Sequence, residues 1–179
     1  MAASMYQTLV SALGFIPLPL PSWRLVASND VPAIAVASGN GGNLASDTAP
    51  KLIRVSTSTD KCLTINWAAA GAIEIFNTFY YPPDMDVTAT YTVNLRVKMG
   101  GSTDTPTITV GLFEGIGDTN RGGATGAASS TLSTLSVTVT PTTGHPNFAS
   151  VTLVPGSHGT DTVVLYEAYI LYQKKLLSS

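Results

Sequence analysis

From Thr88 to Met99 the chain reads TATYTVNLRVKM, and from Tyr91 on it is apolar or aromatic at every odd position and polar at every even one. A period of two belongs to a β-strand with one buried and one wet face; wound as a helix, the same residues would put Arg96 on the side opposite Asn94 and Lys98 and leave no single apolar face. TPTITVGLF (105–113) repeats the pattern with Ile108, Val110 and Leu112, and LSTLSVTVT (132–140) repeats it with Leu135, Val137 and Val139. KLIRVST (51–57), KCLTINW (61–67), AIEIFNTFYY (72–81), FASVTLV (148–154) and TVVLYEAYILYQK (162–174) complete a set of about eight strands, rich in β-branched and aromatic residues and separated by Gly, Pro, Asn and Asp. Strands at this spacing predict an all-β fold, a jelly-roll-like antiparallel β-sandwich. Helical spacing occurs only at 3–13, where Met5, Leu9 and Leu13 share a face. Residues 27–50 and 114–131, dense in Gly and Ser, read as loops.

Ahead of the strands stands FIPLPLPSW (15–23), with Pro17, Pro19 and Pro21 at alternate positions. In an extended chain successive N–H groups point to opposite edges, so three alternate prolines remove three donors from one edge and leave those of Leu18 and Leu20 on the other. Such a segment can pair on one side only and cannot sit mid-sheet. Two uses fit. It can cover an edge strand of its own domain, or it can reach a neighbour as a stiff arm formed by Phe15, Ile16, Pro17, Leu18, Pro19, Leu20, Pro21 and Trp23. The second use divides the chain into a docking arm (1–28) and a sandwich domain (29–179).

Charge limits the partners. Only 11% of the 179 residues are charged, against roughly 25% in ordinary domains. With a net charge of −2 there is no basic footprint for phosphate, so nucleic acid is not an expected partner. No apolar run approaches the roughly 20 residues of a spanning helix, and no membrane partner is expected. Residues 1–20 lack the basic start of a secretory leader and are broken by Pro17, and no N-x-[ST] acceptor occurs, so synthesis in a cytoplasm is expected.

No residue pattern carries catalysis. Ser58 and Lys61 in STDK match S-x-x-K, but in a turn between strands rather than at a helix start. Asp118 and Asn120 have the spacing of a calcium loop, yet Arg121 and the missing distal Glu oppose it. Asp84 and Asp86 follow Pro82–Pro83 and read as turn formers rather than an acid/base pair. His145 and His158 are expected as solvated or turn-bonded loop residues, and the single cysteine, Cys62, as an inert, buried packing residue. No cofactor and no enzymatic activity are expected.

GGSTDTPTITVGLFEGIGDTNRGGATGA (100–127), with YPPDMD before it and GHPNFASVTLVPGSHGTDTVVLYEAYILY after it, resembles a family of small β-rich virion proteins of tailed bacteriophages. The resemblance spans residues 15–173 and rests on strand and turn motifs, DTPTITV, GxGDT, GGAT and HGTD. It implies a capsid decoration or cement protein: a jelly-roll-like module, often trimeric, on the outer surface of the virion, with the major capsid protein as partner. A second reading is a head-fibre or tail module that binds host surface glycans through a shallow site rich in exposed aromatics and carboxylates, with Trp23, Trp67, Phe79, Tyr80 and Tyr81 as candidate sugar platforms. A glycan hydrolase would need two convergent carboxylates from a total of 11 Asp and Glu, mostly in turns.

Overall fold

A computed structural model describes residues 13–25, 35–36, 50–56, 61–69, 71, 73–99, 107–114, 125–127, 130–141, 148–156 and 158–175. Within them lie twelve strands and one 3-10 turn. β1 (Leu13–Pro17), the 3-10 turn (Leu20–Ser22), β2 (Arg24–Leu25) and β3 (Ala35–Val36) precede β4 (Lys51–Ser56), β5 (Lys61–Trp67), β6 (Ile75–Tyr80) and β7 (Tyr91–Met99). β8 (Thr107–Glu114), β9 (Thr125–Ala127), β10 (Ser133–Val139), β11 (Phe148–Pro155) and β12 (Val163–Gln173) follow. The larger sheet has the order β10-β7-β12-β5-β4-β3, with β1 also on β12, and the smaller has β2-β6-β11-β8-β9. All pairs are antiparallel except β3–β4. The sandwich expected from the alternation is the one observed, and all eight expected strands form. Leu13 opens β1, while the rest of the expected helix at 3–13 lies outside the described residues. β3 and β9 interrupt the two expected loops, whose remainders lie largely outside the description.

The core is the set of inward positions that period two dictates: Tyr91, Val93, Leu95, Val97 and Met99 of β7 face Ile108, Val110 and Leu112 of β8 and Ala149, Val151 and Leu153 of β11. β12 lies at the centre of the larger sheet and shares one of its edges between two partners. Val163–Leu165 pair with β5, a bulge intervenes between Leu165 and Glu167, and Tyr169–Gln173 pair with β1. A bulge kinks and twists its strand, and here it divides the stretch of edge paired with β5 from the stretch that β1 takes.

β1 is the start of the Pro-rich segment. The Leu18 N–H donates to the Ala168 carbonyl at 3.0 Å, so the edge that keeps its donors faces β12 and the Pro17 nitrogen faces away, as the alternate prolines require. The chain then turns. The N–H groups of Ser22 and Trp23 donate to the carbonyls of Pro19 and Leu20, and β2 joins β6 of the other sheet. Leu18, Leu20 and Trp23 are buried in the common core, and the Trp23 indole donates back to the Leu18 carbonyl at 3.4 Å. Residues 13–25 therefore belong to both sheets and share one core with the strands beyond residue 50, across the division expected at residue 28. Gly14 lies against the ring of Tyr172, where a Cβ would collide with the ring carbons.

Candidate functional site

The alternation that sends one set of side chains inward sends the other to the outside, and on the smaller sheet that outer set is unusual. β6 presents Phe76, Thr78 and Tyr80, β11 presents Phe148, Ser150, Thr152 and Val154, and β8 presents Thr109, Gly111 and Phe113. Registers align them in rows: Tyr80 beside Phe148, Thr78 beside Ser150 beside Phe113, and Phe76 beside Thr152 beside Gly111. None of these ten residues is charged. Arg24 of β2 extends the last row at the sheet edge.

Strand spacings of about 4.8 Å and residue repeats of about 6.7 Å set the scale of this face. Phe76 and Tyr80 stand roughly 13 Å apart on one strand, and Phe113 lies two strands away at roughly 10 Å. Within the frame of rings lie the hydroxyls of Thr78 and Ser150, 2.9 Å apart, and that of Thr152. Tyr80 is 72% exposed and its ring centroid is 6.1 Å from that of Phe148. Gly111 adds no side chain and is itself buried between Phe113 and Thr152.

The inner side holds this face rigid. Phe79, Tyr81 and Tyr91 pack edge to face, with centroids 5.7–6.0 Å apart. The Tyr81 hydroxyl donates to buried Glu114 at 2.5 Å, which joins the end of β6 to the end of β8. Burial first, and then the bond to Glu114, push the Tyr81 phenol far above its ordinary value. Burial likewise raises Tyr91, against the opposing effect of its hydrogen bond to Tyr81, so both phenols keep their protons. The Asn77 amide donates to the Ser22 hydroxyl at 2.9 Å, linking β6 to the 3-10 turn. Tyr80 thus stands on a strand fixed from both sides.

The structure scatters the other residues singled out by sequence. Trp23, Trp67 and Phe79 are buried and Tyr81 is half-buried, so among the five aromatics expected as sugar platforms only Tyr80 is open. Phe76, Phe113 and Phe148 are the ones sequence reasoning passed over; their even or odd places within expected strands were the available signal. Of the expected arm, Phe15, Pro17, Pro19 and Pro21 are exposed, Ile16 is half-buried, and Leu18, Leu20 and Trp23 are buried in this chain's own core and unavailable to a neighbour.

Asp84 accepts from the Tyr172 hydroxyl at 3.0 Å and pairs with Lys174 at 3.5 Å. Asp86 accepts from the backbone N–H and hydroxyl of Thr88 at 2.9 and 2.6 Å, which hold its carboxyl below the ordinary carboxylate value; it closes a turn. His158 is turn-bonded, one of its two expected states, and buried. Its Nδ1 lies 2.7 Å from the Asp161 carbonyl and its Nε2 lies 2.6 Å from the Gly71 carbonyl, joining two loops at one end of the sandwich. Cys62 is half-buried rather than fully buried. Ser58, Asp118, Asn120, Arg121 and His145 lie outside the described residues, whereas Lys61 opens β5. Among the described residues no group of three or more His, Cys, Asp or Glu is placed to hold a metal ion, and no helix is long and apolar enough to cross a membrane.

No protein-family model matches the sequence, and no curated protein matches it. Solved structures match the fold. A family 61 carbohydrate-binding module in complex with β-1,4-galactotriose superposes with a TM-score of 0.53 at 10% identity, covering 88% of this chain and 92% of that one. The xylan-binding module CBM15 gives 0.52 at 12% identity, covering 91% and 99%. The CBM22-1 and GH10 modules of Clostridium thermocellum xylanase 10B, complexed with xylohexaose, give 0.50 at 12% identity; 94% of this chain matches 29% of that one. At such identities the likeness establishes the jelly-roll sandwich. It also corrects the expectation of a capsid decoration protein: the sandwich is one carried by carbohydrate-binding modules, and three of the side chains expected to grip a shell are interior.

Proposed function

We propose that the protein is a non-catalytic carbohydrate-binding module that holds an uncharged glycan against the outer face of the smaller sheet, with Tyr80 and Phe148 as its stacking platform. The observation that carries this reading is the conjunction of four aromatic rings and three hydroxyls on one sheet face, where Arg24 at the edge is the one charge in these rows. A sugar ring offers weakly positive C–H groups on its flat side and hydroxyls around its rim. The negative face of an aromatic ring attracts the first, and Thr78, Ser150 and Thr152 suit the second because a hydroxyl both donates and accepts. With Arg24 at its edge as the one charge in these rows, the face offers little to an acidic glycan. It also bears no carboxylate, so neither the acid nor the base of glycoside hydrolysis is present there. The similar folds include modules whose solved structures contain galactotriose or xylohexaose, which supports the same class of ligand.

Each ring contact is worth roughly 0.5–1.5 kcal/mol, so truncating Tyr80 and Phe148 together removes about 1–3 kcal/mol, or roughly 5- to 150-fold in affinity. Native gel electrophoresis through soluble xylan and through galactan tests this. The wild-type chain is expected to be retarded, and Tyr80→Ala with Phe148→Ala to be retarded much less while its circular dichroism stays unchanged. Equal retardation of the folded double variant would overturn the placement of the site.

A further inference from the structure

The larger sheet has its own outer face, and the part formed by β1, β12, β7 and β10 divides by chemistry. One row runs Pro17, Tyr169, Asn94, Ser136, the next Phe15, Leu171, Thr92, Thr138, and a third Glu167, Arg96, Thr134. The β1 and β12 side is mainly apolar. Phe15 is 56% exposed and stacks on Tyr169 with centroids 5.3 Å apart and planes inclined by 27°. The β7 and β10 side is polar, and its groups are already aimed: the Ser136 hydroxyl donates to Asn94 Oδ1 at 2.7 Å, and Arg96 pairs with Glu167 at 3.3 Å with both side chains nearly half exposed.

We propose that this face is a second glycan contact, taking a single sugar ring with its flat side on the Phe15 ring, which Tyr169 backs, and its hydroxyls toward Arg96 and Glu167, so that one chain bridges two glycans from opposite sides of the sandwich. The bridging rests on the site proposed on the smaller sheet; the contact itself does not. Three observations select this occupant. Strand addition at β1 is curtailed because Pro17 has no N–H on the outward edge, which leaves that edge only the donors of Leu13 and Phe15. The three rows cover roughly 14 by 13 Å, about a quarter of the roughly 800 Å² per partner that a stable protein interface buries. A sugar ring is itself divided into an apolar face and a polar rim, and Arg96 with Glu167 supplies fixed donors and acceptors side by side.

The test is cross-linking by the monomer. Wild-type chain, shown to be monomeric by light scattering, is mixed with soluble xylan and with galactan; turbidity that rises and then falls as protein is added in excess is expected from a two-faced binder. Phe15→Ala with Tyr169→Ala should abolish the turbidity while gel retardation persists through the smaller sheet. Arg96→Ala with Glu167→Ala, which leaves β1 and its stacked ring in place, should lower the turbidity at least threefold and controls for loss of β1. Undiminished turbidity in both variants, or none from the wild type, overturns the bridging. Retardation that survives loss of Tyr80 and Phe148 but vanishes with Phe15 and Tyr169 overturns the smaller-sheet site and leaves this contact standing. Retardation lost entirely with Tyr80 and Phe148 overturns the second contact.

Discussion

The outer faces of the two sheets cover one core and are cut from the same alternating strands, yet they have opposite surface chemistry. On the smaller sheet, ten outward residues of β6, β8 and β11 carry rings and hydroxyls and no charge. On the larger, Arg96 and Glu167 pair, Ser136 bonds Asn94, and Lys98 stands at the end of β7. The inward positions of both sheets are interchangeable in kind, being Val, Ile, Leu and aromatics that packing alone demands. The outward positions are free of that demand. Where a face keeps rings at outward positions, Tyr80 the most exposed of them, in a chain with so little charge, packing alone does not demand them, and the proposed binding would.

Because the core is shared, damage to it should erase the difference between the faces, and that is the largest effect expected. Trp23 is fully buried and bonded to Leu18 at the crossing from β1 to β2. Trp23→Ala should cost about 3–5 kcal/mol in urea unfolding, lowering stability monitored from either face together. A cost under about 1 kcal/mol would mean that residues 13–25 are a detachable arm after all.

A smaller change should separate the faces. Gly14 touches the Tyr172 ring, so Gly14→Ala forces β1 away from β12 or tilts the ring, at about 1–3 kcal/mol for overpacking. It displaces Phe15 and leaves Tyr80 and Phe148 alone. Glycan retardation through the smaller sheet should persist in this variant while monomer cross-linking falls.

The sequence made part of this legible. The eight long strands and the one-sided pairing of the Pro-rich segment follow from alternation and from donor arithmetic, both of which are local. β2 and β3 have two residues each, too few to show any period. The burial of Leu18 and Leu20 was not legible because alternation says that they share a side and not what lies on it. Phe76 escaped for the same reason, since Ile75, Asn77 and Phe79 against Phe76, Thr78 and Tyr80 are two mixed sets and only the partner sheet decides which is outside, whereas Phe113 was legible from its place on the face opposite Ile108, Val110 and Leu112. His158 shows the limit from another direction, since its second carbonyl partner, on Gly71, is 87 residues away.

A still smaller effect should appear in alkali and bears on the support beneath the smaller sheet. The Tyr81 phenol is held above its ordinary value of 10.0 by burial and by Glu114. A group whose proton is held more tightly in the fold contributes stability that is complete below the unfolded value and is lost as pH rises past it. Wild-type stability should therefore fall above about pH 10, by up to about 1.4 kcal/mol per pH unit for each such phenol. In Tyr81→Phe the fall should be shallower, while at pH 7 the lost bond costs about 1–3 kcal/mol. Equal slopes in the two proteins would show that Tyr81 is not the group responsible.

The smallest effect should distinguish the faces by salt. Arg96 and Glu167 have side chains 44% and 48% exposed, and an exposed pair contributes about 0–1 kcal/mol to stability. Arg96→Gln should accordingly shift the melting temperature by no more than a few degrees, and by less in 1 M NaCl, where the screening length falls to about 3 Å. Binding should respond differently on the two sides. Contacts on the smaller sheet involve no charge, so gel retardation through that face should be the same in low and high salt. Cross-linking needs the larger sheet as well, where Arg96 and Glu167 are to hydrogen-bond the sugar rim, and charged partners bind a neutral hydroxyl more strongly than neutral ones do. Its turbidity should weaken with salt in the wild type and change little further in Arg96→Gln. If retardation and turbidity lose the same fraction of their strength in 1 M NaCl, the two faces are not chemically distinct in what they hold.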